Sequence, residues 1–134
     1  MTSDARPPIK EKRTTTKALG DVAEARALAH LVASGLLPVE RNYRVARGPG
    51  SRGGEIDLIA REPDGTLVFV EVRARRDSRF GGAAASVGIV KRQRLLFAAR
   101  HYLSRFRMPP PCRFDVVTVE ADRIEWLRAA FDAS

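Results

Sequence analysis

The stretch Gly54-Glu-Ile-Asp-Leu-Ile-Ala-Arg-Glu-Pro-Asp-Gly-Thr-Leu-Val-Phe-Val-Glu-Val-Arg73 decides how this chain folds. It holds two runs, Glu55 to Ala60 and Leu67 to Arg73, dense in β-branched and aromatic residues. Such runs read as strands, and the second is apolar on both faces, as a central strand covered on both sides must be. Between them stands Pro63-Asp64-Gly65. Proline presets φ for the first turn position and glycine accepts the left-handed third one, so the spacing predicts a three-residue hairpin closed by a glycine bulge. That loop pairs Glu62 with Thr66, which sets Asp57 opposite Glu71 and Glu55 opposite Arg73. Directly opposed side chains share a face.

Two carboxylates facing each other across a strand pair repel, and the arrangement is destabilising unless something neutralises it. A divalent cation does so. Hard oxygen ligands at this spacing suit Mg²⁺ or Mn²⁺, which keep several waters and bridge to phosphate. Strand alternation returns Arg73 to the face of Glu71, where its guanidinium can hold a phosphate. Glu55 is expected to pair with Arg73 across the hairpin and to stand in reserve as a ligand. One residue more or less in the loop would put Asp57 and Glu71 on opposite faces and remove the site.

Outward from the hairpin, apolar residues recur at helical spacing from Leu19 to Ser34, with Gly35 where a C-terminal cap belongs. Asn42 to Ala46 is a short strand candidate, followed by a glycine-rich loop from Arg47 to Gly54. After the hairpin, Arg75 to Gly88 reads as a basic loop and Ile89 to Phe106 as a helix ended by Pro109-Pro110-Pro111. Arg113 to Val119 and Arg123 to Leu127 are the last strands, giving the order α-β-β-β-α-β-β and an α/β fold class. Glu24 shares a face of the first helix with Leu28 and Leu31, so it points inward. Asp21-x-x-Glu24 also reads as a capping box, an alternative that a helix beginning well before Asp21 would remove.

At 134 residues the chain is one domain, from residue 18 to 134, behind a flexible tail spanning Met1 to Lys17 with no apolar stretch to act as a secretion signal. No apolar run approaches the roughly 18 residues of a membrane-spanning helix, so no membrane association is expected. Apolar residues at 44% and charged residues at 30% exclude a disordered or membrane-embedded class. The single cysteine, Cys112, rules out an internal disulfide or a cysteine metal cage, suits a reducing cytoplasm, and reads as a small buried hydrophobe. A net charge of +8 favours a polyanionic partner. Arg52, Arg75, Arg76 and Arg79 in the loops, with Lys91, Arg92 and Arg94 at the start of the second helix, are the candidate phosphate contacts; a solvated basic face is the alternative. The chain holds 20 Arg against 4 Lys, a bias that bears on Arg73. His30 and His101 read as packing or surface residues.

At these residues the chain resembles the YraN family of uncharacterised bacterial proteins, which are similar to Holliday-junction resolvases and belong to the PD-(D/E)xK nuclease superfamily. The resemblance runs through Gly20-x-x-Ala23-Glu24, Arg41-Asn42-Tyr43-Arg44, Gly54-Glu-Ile-Asp-Leu-Ile-Ala60, Val68-Phe-Val-Glu-Val-Arg73, Phe80-Gly81, Lys91, Arg113-Phe-Asp-Val-Val117 and Ala130-Phe131, covering roughly residues 18 to 131. It implies a restriction-endonuclease-like three-layer fold, a central mixed sheet flanked by helices. It also implies Asp57 and Glu71 as metal ligands and Glu24 as the helix acid that completes the site. The superfamily's water-handling Lys falls on Arg73. Ala23 and Arg73 are the two departures. Arginine cannot accept a proton, although it can hold a phosphate oxygen and balance developing charge. The resemblance thus implies a Mg²⁺- or Mn²⁺-dependent endonuclease acting on DNA, with branched and flapped DNA among the candidate substrates and a homodimer among the candidate assemblies. The alternatives are a non-catalytic nucleic-acid-binding module that kept the fold, and an interaction protein with a structural acid cluster and no salt-dependent DNA binding. Asp115 falls within the resemblance without an identifiable chemical partner.

Overall fold

A computed structural model describes residues 16–47, 53–75 and 87–132. Residues 1–15, which hold most of the expected tail, lie outside the described residues, as do Arg52, Arg76 and Arg79. The first helix, α1 (Thr16–Ala33), begins well before Asp21. That removes the capping-box reading of Glu24, which sits two turns inside. The helix closes where Gly35 was expected to cap it: Gly35 adopts φ +102, its amide donates to Val32 O and the amide of Leu36 to Leu31 O. Glycine accepts that left-handed conformation at no steric cost, and the two bonds satisfy the last carbonyls of the helix.

Strand β1 (Leu37–Val45) starts five residues earlier than its apolar pattern suggested, followed by β2 (Gly54–Arg61), β3 (Leu67–Ala74), α2 (Ile89–Leu103), β4 (Cys112–Val119) and β5 (Ile124–Phe131). The order is the expected α-β-β-β-α-β-β. One five-stranded sheet runs β1-β2-β3-β4-β5, antiparallel except for the parallel pair β3–β4. The crossover that makes this pair parallel carries α2. Helix α1 covers one face, packing Ala23, Ala27 and Leu31 on Leu58, Val68, Val70 and Val117. Helix α2 covers the other, packing Leu95, Ala98, Ala99 and Tyr102 on Ile56, Phe69, Phe114 and Val116. The result is the three-layer, restriction-endonuclease-like α/β architecture. A side chain at Gly54 would collide with the Arg94 carbonyl and the Ala98 amide, so glycine there lets α2 lie close against β2. Helix α2 stops at Leu103, three residues short of the expected end, with Ser104 donating its hydroxyl to His101 O. Phe106 still packs on the core from beyond the helix.

The hairpin forms as its turn residues dictate. The Glu62 amide donates to Thr66 O, the Gly65 amide to Glu62 O, and Gly65 has φ +97. Asp64 Oδ1 accepts the Thr66 amide at 2.9 Å, bracing the turn. The pairs that follow, from Arg61↔Leu67 to Leu58↔Val70, hold the predicted register.

Asp115 acquires its role here. It is fully buried, and its carboxylate accepts from Arg113 Nε at 3.0 Å, Trp126 Nε1 at 2.9 Å and the Ala129 amide at 2.9 Å. The last bond falls where the β4–β5 register shifts between Phe114 and Val116 and where Ala129 takes φ +51. Asp115 therefore bolts a bulged edge strand to the sheet, and Arg113 continues the chain of charge to Glu62 at 2.8 Å. Cys112, expected to be buried, is exposed. It is the first residue of β4, directly after the three prolines.

Removing the Asp115 carboxylate leaves a buried donor set unpaired beside Arg113. Asp115→Ala is expected to lower unfolding stability by roughly 3–5 kcal/mol in urea titrations followed by Trp126 fluorescence. A loss under about 1 kcal/mol, the worth of one ordinary hydrogen bond, would contradict this structural role.

Candidate metal centre

The β2–β3 ladder ends at Leu58↔Val70, one pair short of Asp57 and Glu71. The next backbone donor on β3, the Val72 amide, goes to the Asp57 carboxylate at 2.8 Å. Asp57 thus enters the sheet as a wedge at a fork between the strands. The pattern of β2 shows the same break: Ile56 packs on the α2 side and Leu58 on the α1 side, although strict alternation would put both on one face. On β1, paired with β2 at Arg41↔Leu58 and Tyr43↔Ile56, the intervening Asn42 adopts φ +53. Asparagine tolerates that left-handed conformation better than most residues, and its place opposite Asp57 lets two strands kink together.

The fork brings the predicted acids together. Asp57 is 8% exposed and Glu71 2%. The two carboxyl groups act on each other's proton affinity across the fork. Burial pushes Glu71 up to about 7, and the neighbouring Asp57 charge adds to it, against the opposing pull of Lys91 and Arg73. Burial raises Asp57 as well, opposed by the Val72 amide, the neighbouring Glu71 carboxyl and the charge of Lys91. Glu24 reaches the same region from α1: burial raises it first and the charge of Asp57 second, while Arg41 and a hydrogen bond with Asn42 work the other way.

Two cations close on Glu71 Oε2, Lys91 Nζ at 3.4 Å and Arg73 Nη1 at 3.5 Å. The other oxygen, Oε1, is buried without a hydrogen-bond partner, as is Glu24 Oε1. Buried carboxylate oxygens rarely stand alone, and each is an open place for a cation or a water. Among the described residues, no three of His, Cys, Asp and Glu stand close enough to hold an ion as a set. The donor chemistry is two carboxylates with room for water, which fits Mg²⁺ or Mn²⁺ held partly by water and substrate phosphate. A polar cavity of about 170 Å³ opens beside the fork, lined by Glu24, Asn42, Arg44, Glu55 and Lys17.

Glu55 does not pair with Arg73. It meets Arg94 Nη2 from α2 at 3.1 Å, because the kink turns it from the hairpin partner toward the helix seated on Gly54. Arg94 is thereby engaged, and Arg92 lies against Phe131, 5.2 Å from its ring, with Nε bonded to Val87 O. Arg75 is partly buried at the end of β3. Lys91, a candidate phosphate contact, stands 3.4 Å from Glu71 Oε2 with its side chain about one-third exposed. His101 is not isolated: its Nδ1 lies 2.6 Å from Tyr43 Oη. His30 packs edge-on to Trp126, as a packing residue.

Fold and site together define an α/β protein of restriction-endonuclease-like architecture with a buried acid pair at a strand fork. A family model described as the uncharacterised protein family UPF0102 matches residues 23–119. A UPF0102 protein of Methylibium petroleiphilum is 68% identical over 90% of this chain and 98% of its own. Another from Acidovorax sp. (strain JS42) is 62% identical over 90% and 89%, and one from Cupriavidus pinatubonensis 58% over 92% and 93%. The chain belongs to the UPF0102 family, which is the YraN family its motifs resemble.

The raised Glu71 gives a signed stability prediction. Between the ordinary value of 4.5 and about 7 the folded chain holds a proton the unfolded chain has released, so the stability contributed is greatest below 4.5, falls as pH rises to about 7, and is flat above. Glu71→Gln mimics the protonated form. It is expected to be more stable than wild type at pH 8 by on the order of 3 kcal/mol and equal to it near pH 4.5, in urea titrations without metal. A Gln variant no more stable at pH 8 would contradict the assignment.

Proposed function

We propose that the chain is a metal-dependent endonuclease that hydrolyses DNA phosphodiester bonds at the fork between β2 and β3. The observation that carries this reading is the buried acid pair Asp57 and Glu71, with Glu71 Oε1 unpartnered and two cations on Oε2. A structural acid pair would be expected to have both oxygens satisfied. Here the protein leaves one open and spends stability to keep two acids together.

In this reading Asp57 and Glu71 hold Mg²⁺ or Mn²⁺, and Glu24 assists from α1 through its open oxygen. The bound cation supplies Lewis acidity, lowering the pKa of water and balancing phosphate charge. Arg73 holds Glu71 Oε2 in place and faces the substrate with its remaining donors. The Val72 amide fixes the orientation of Asp57. Hydrolysis forms a bond from the water oxygen to phosphorus as the bond to the leaving sugar oxygen breaks. One proton of the water passes to solvent and the leaving oxygen takes one up. The cationic side chains lining the cleft, Lys17 and Arg44, supply sequence-independent attraction to the backbone. The substitution of Lys by Arg73 supports a second reading, a non-catalytic DNA-binding module on the same fold.

Labelled linear, flapped and four-way DNA incubated with Mg²⁺, Mn²⁺ or EDTA separates the two. The expected result is metal-dependent cutting that falls at least ~100-fold in Asp57→Ala, the scale of losing a main electrostatic element of a site. Salt-dependent binding with no cutting in any metal would establish the binding module. Neither binding nor cutting would sink both.

A further inference from the structure

Lys91, a candidate phosphate contact by sequence, stands over the fork beside Glu71. It lies in the first turn of α2, which carries no acidic residue to balance it and whose N-cap, Gly88, makes no side-chain bond. A positive charge there opposes the helix dipole. The Gly54 contact seats α2 so closely on β2 that Lys91 reaches over the fork to within 3.4 Å of Glu71 Oε2. Its charge acts on both acids, and on Glu71 more strongly than that of Arg73.

The two cations on Oε2 differ in what they can do. Arg73 comes from the strand that carries Glu71, two residues on, so its guanidinium is tied to the same backbone and hydrogen-bonds the carboxylate it follows. Lys91 arrives from the opposite layer at ion-pair distance, its side chain about one-third exposed. An ammonium is a compact charge with three rotatable donors, able to keep one toward Glu71 and offer another to a ligand oxygen. Glu71 Oε1 faces away from both cations' shared oxygen and stays open.

We propose that Lys91, carried on α2 instead of the hairpin strand, is the catalytic cation of this site. It donates to the attacking water or a non-bridging phosphate oxygen of the scissile bond, while Arg73 is a positioning residue that steadies Glu71. The proposal rests on the nuclease reading above and assigns it a residue that the strand motif does not contain. It also explains how a site with Arg after the Glu keeps a lysine: the ammonium comes from a different element and arrives at the same carboxylate.

The test compares wild type with Lys91→Ala, Lys91→Ala/Arg73→Lys, and Arg100→Ala, which removes an exposed charge from the same helix. Three quantities are read: the cleavage rate with Mn²⁺, the DNA affinity with Ca²⁺ in place of Mn²⁺, and the Mn²⁺ affinity by calorimetry. Lys91→Ala is expected to lose ~100-fold or more in kcat, the scale of a lost transition-state donor. Its KM and Ca²⁺-supported DNA affinity stay within about threefold of those of Arg100→Ala, and Mn²⁺ binds no more weakly, since deleting a nearby positive charge does not weaken a cation site. The double variant regains at least tenfold of the lost rate. If wild type cuts and Lys91→Ala cuts as fast, or loses DNA affinity in step with rate, the inference is overturned and the nuclease reading stands. Weakened Mn²⁺ binding in Lys91→Ala would mark a structural role and overturn it too. A wild type that neither binds Mn²⁺ nor cuts sinks the nuclease reading, and this inference with it.

Discussion

The burial of two carboxyl groups, Asp57 and Glu71, at one strand fork is the constraint around which the rest of the site is arranged. Two acids taken out of water in one fork cannot both ionise at neutral pH without a counter-charge. The fold supplies partial relief from three sides: the Val72 amide on Asp57, Arg73 from the same strand as Glu71, and Lys91 from α2. It stops short of full relief, and Glu71 keeps its proton to about pH 7. In the proposed reading a divalent cation would take the place of that proton.

The layers exist to deliver groups to that fork. Helix α1 brings Glu24 from one side of the sheet and α2 brings Lys91 from the other, which only a sheet opened between two central strands allows. Close packing at Gly54 sets the reach of α2, and the kink at Asn42 turns β2 so that Asp57 points between strands. Asp115, with partners on both carboxylate oxygens, is fully committed. Glu71 and Glu24, each with an open oxygen, are not. That contrast sets Asp115 apart from the two candidate site acids.

The hairpin was legible because its turn chemistry is local: Pro63 and Gly65 set the register within a few residues, and the register placed Asp57 beside Glu71. The helix ends at Gly35 were legible for the same reason. The fork was not, because a register argument assumes an unbroken ladder, while Asp57 breaks it by capturing the Val72 amide. The misplaced Glu55–Arg73 pair follows from that assumption. Asn42 was the available signal, a turn-prone residue inside a strand candidate and opposite the key Asp. Lys91 lies 20 residues beyond Glu71 across a connection whose path the sequence does not specify, so nothing in the local pattern placed it on Glu71. The partners of Asp115 were hidden too: Trp126 and Ala129 reach it only through a bulge in β5. Cys112 was misread from the average behaviour of its type, with no account taken of its place at a strand end.

The central claim is that a divalent cation replaces the proton held by Glu71. Calorimetric titration with Mn²⁺ in two buffers of different ionisation enthalpy measures proton release directly. At pH 6 the account predicts release of close to one proton per Mn²⁺ bound, falling toward zero at pH 8.5 where Glu71 has already ionised. Binding with no proton released at pH 6, or no binding at either pH, would contradict it.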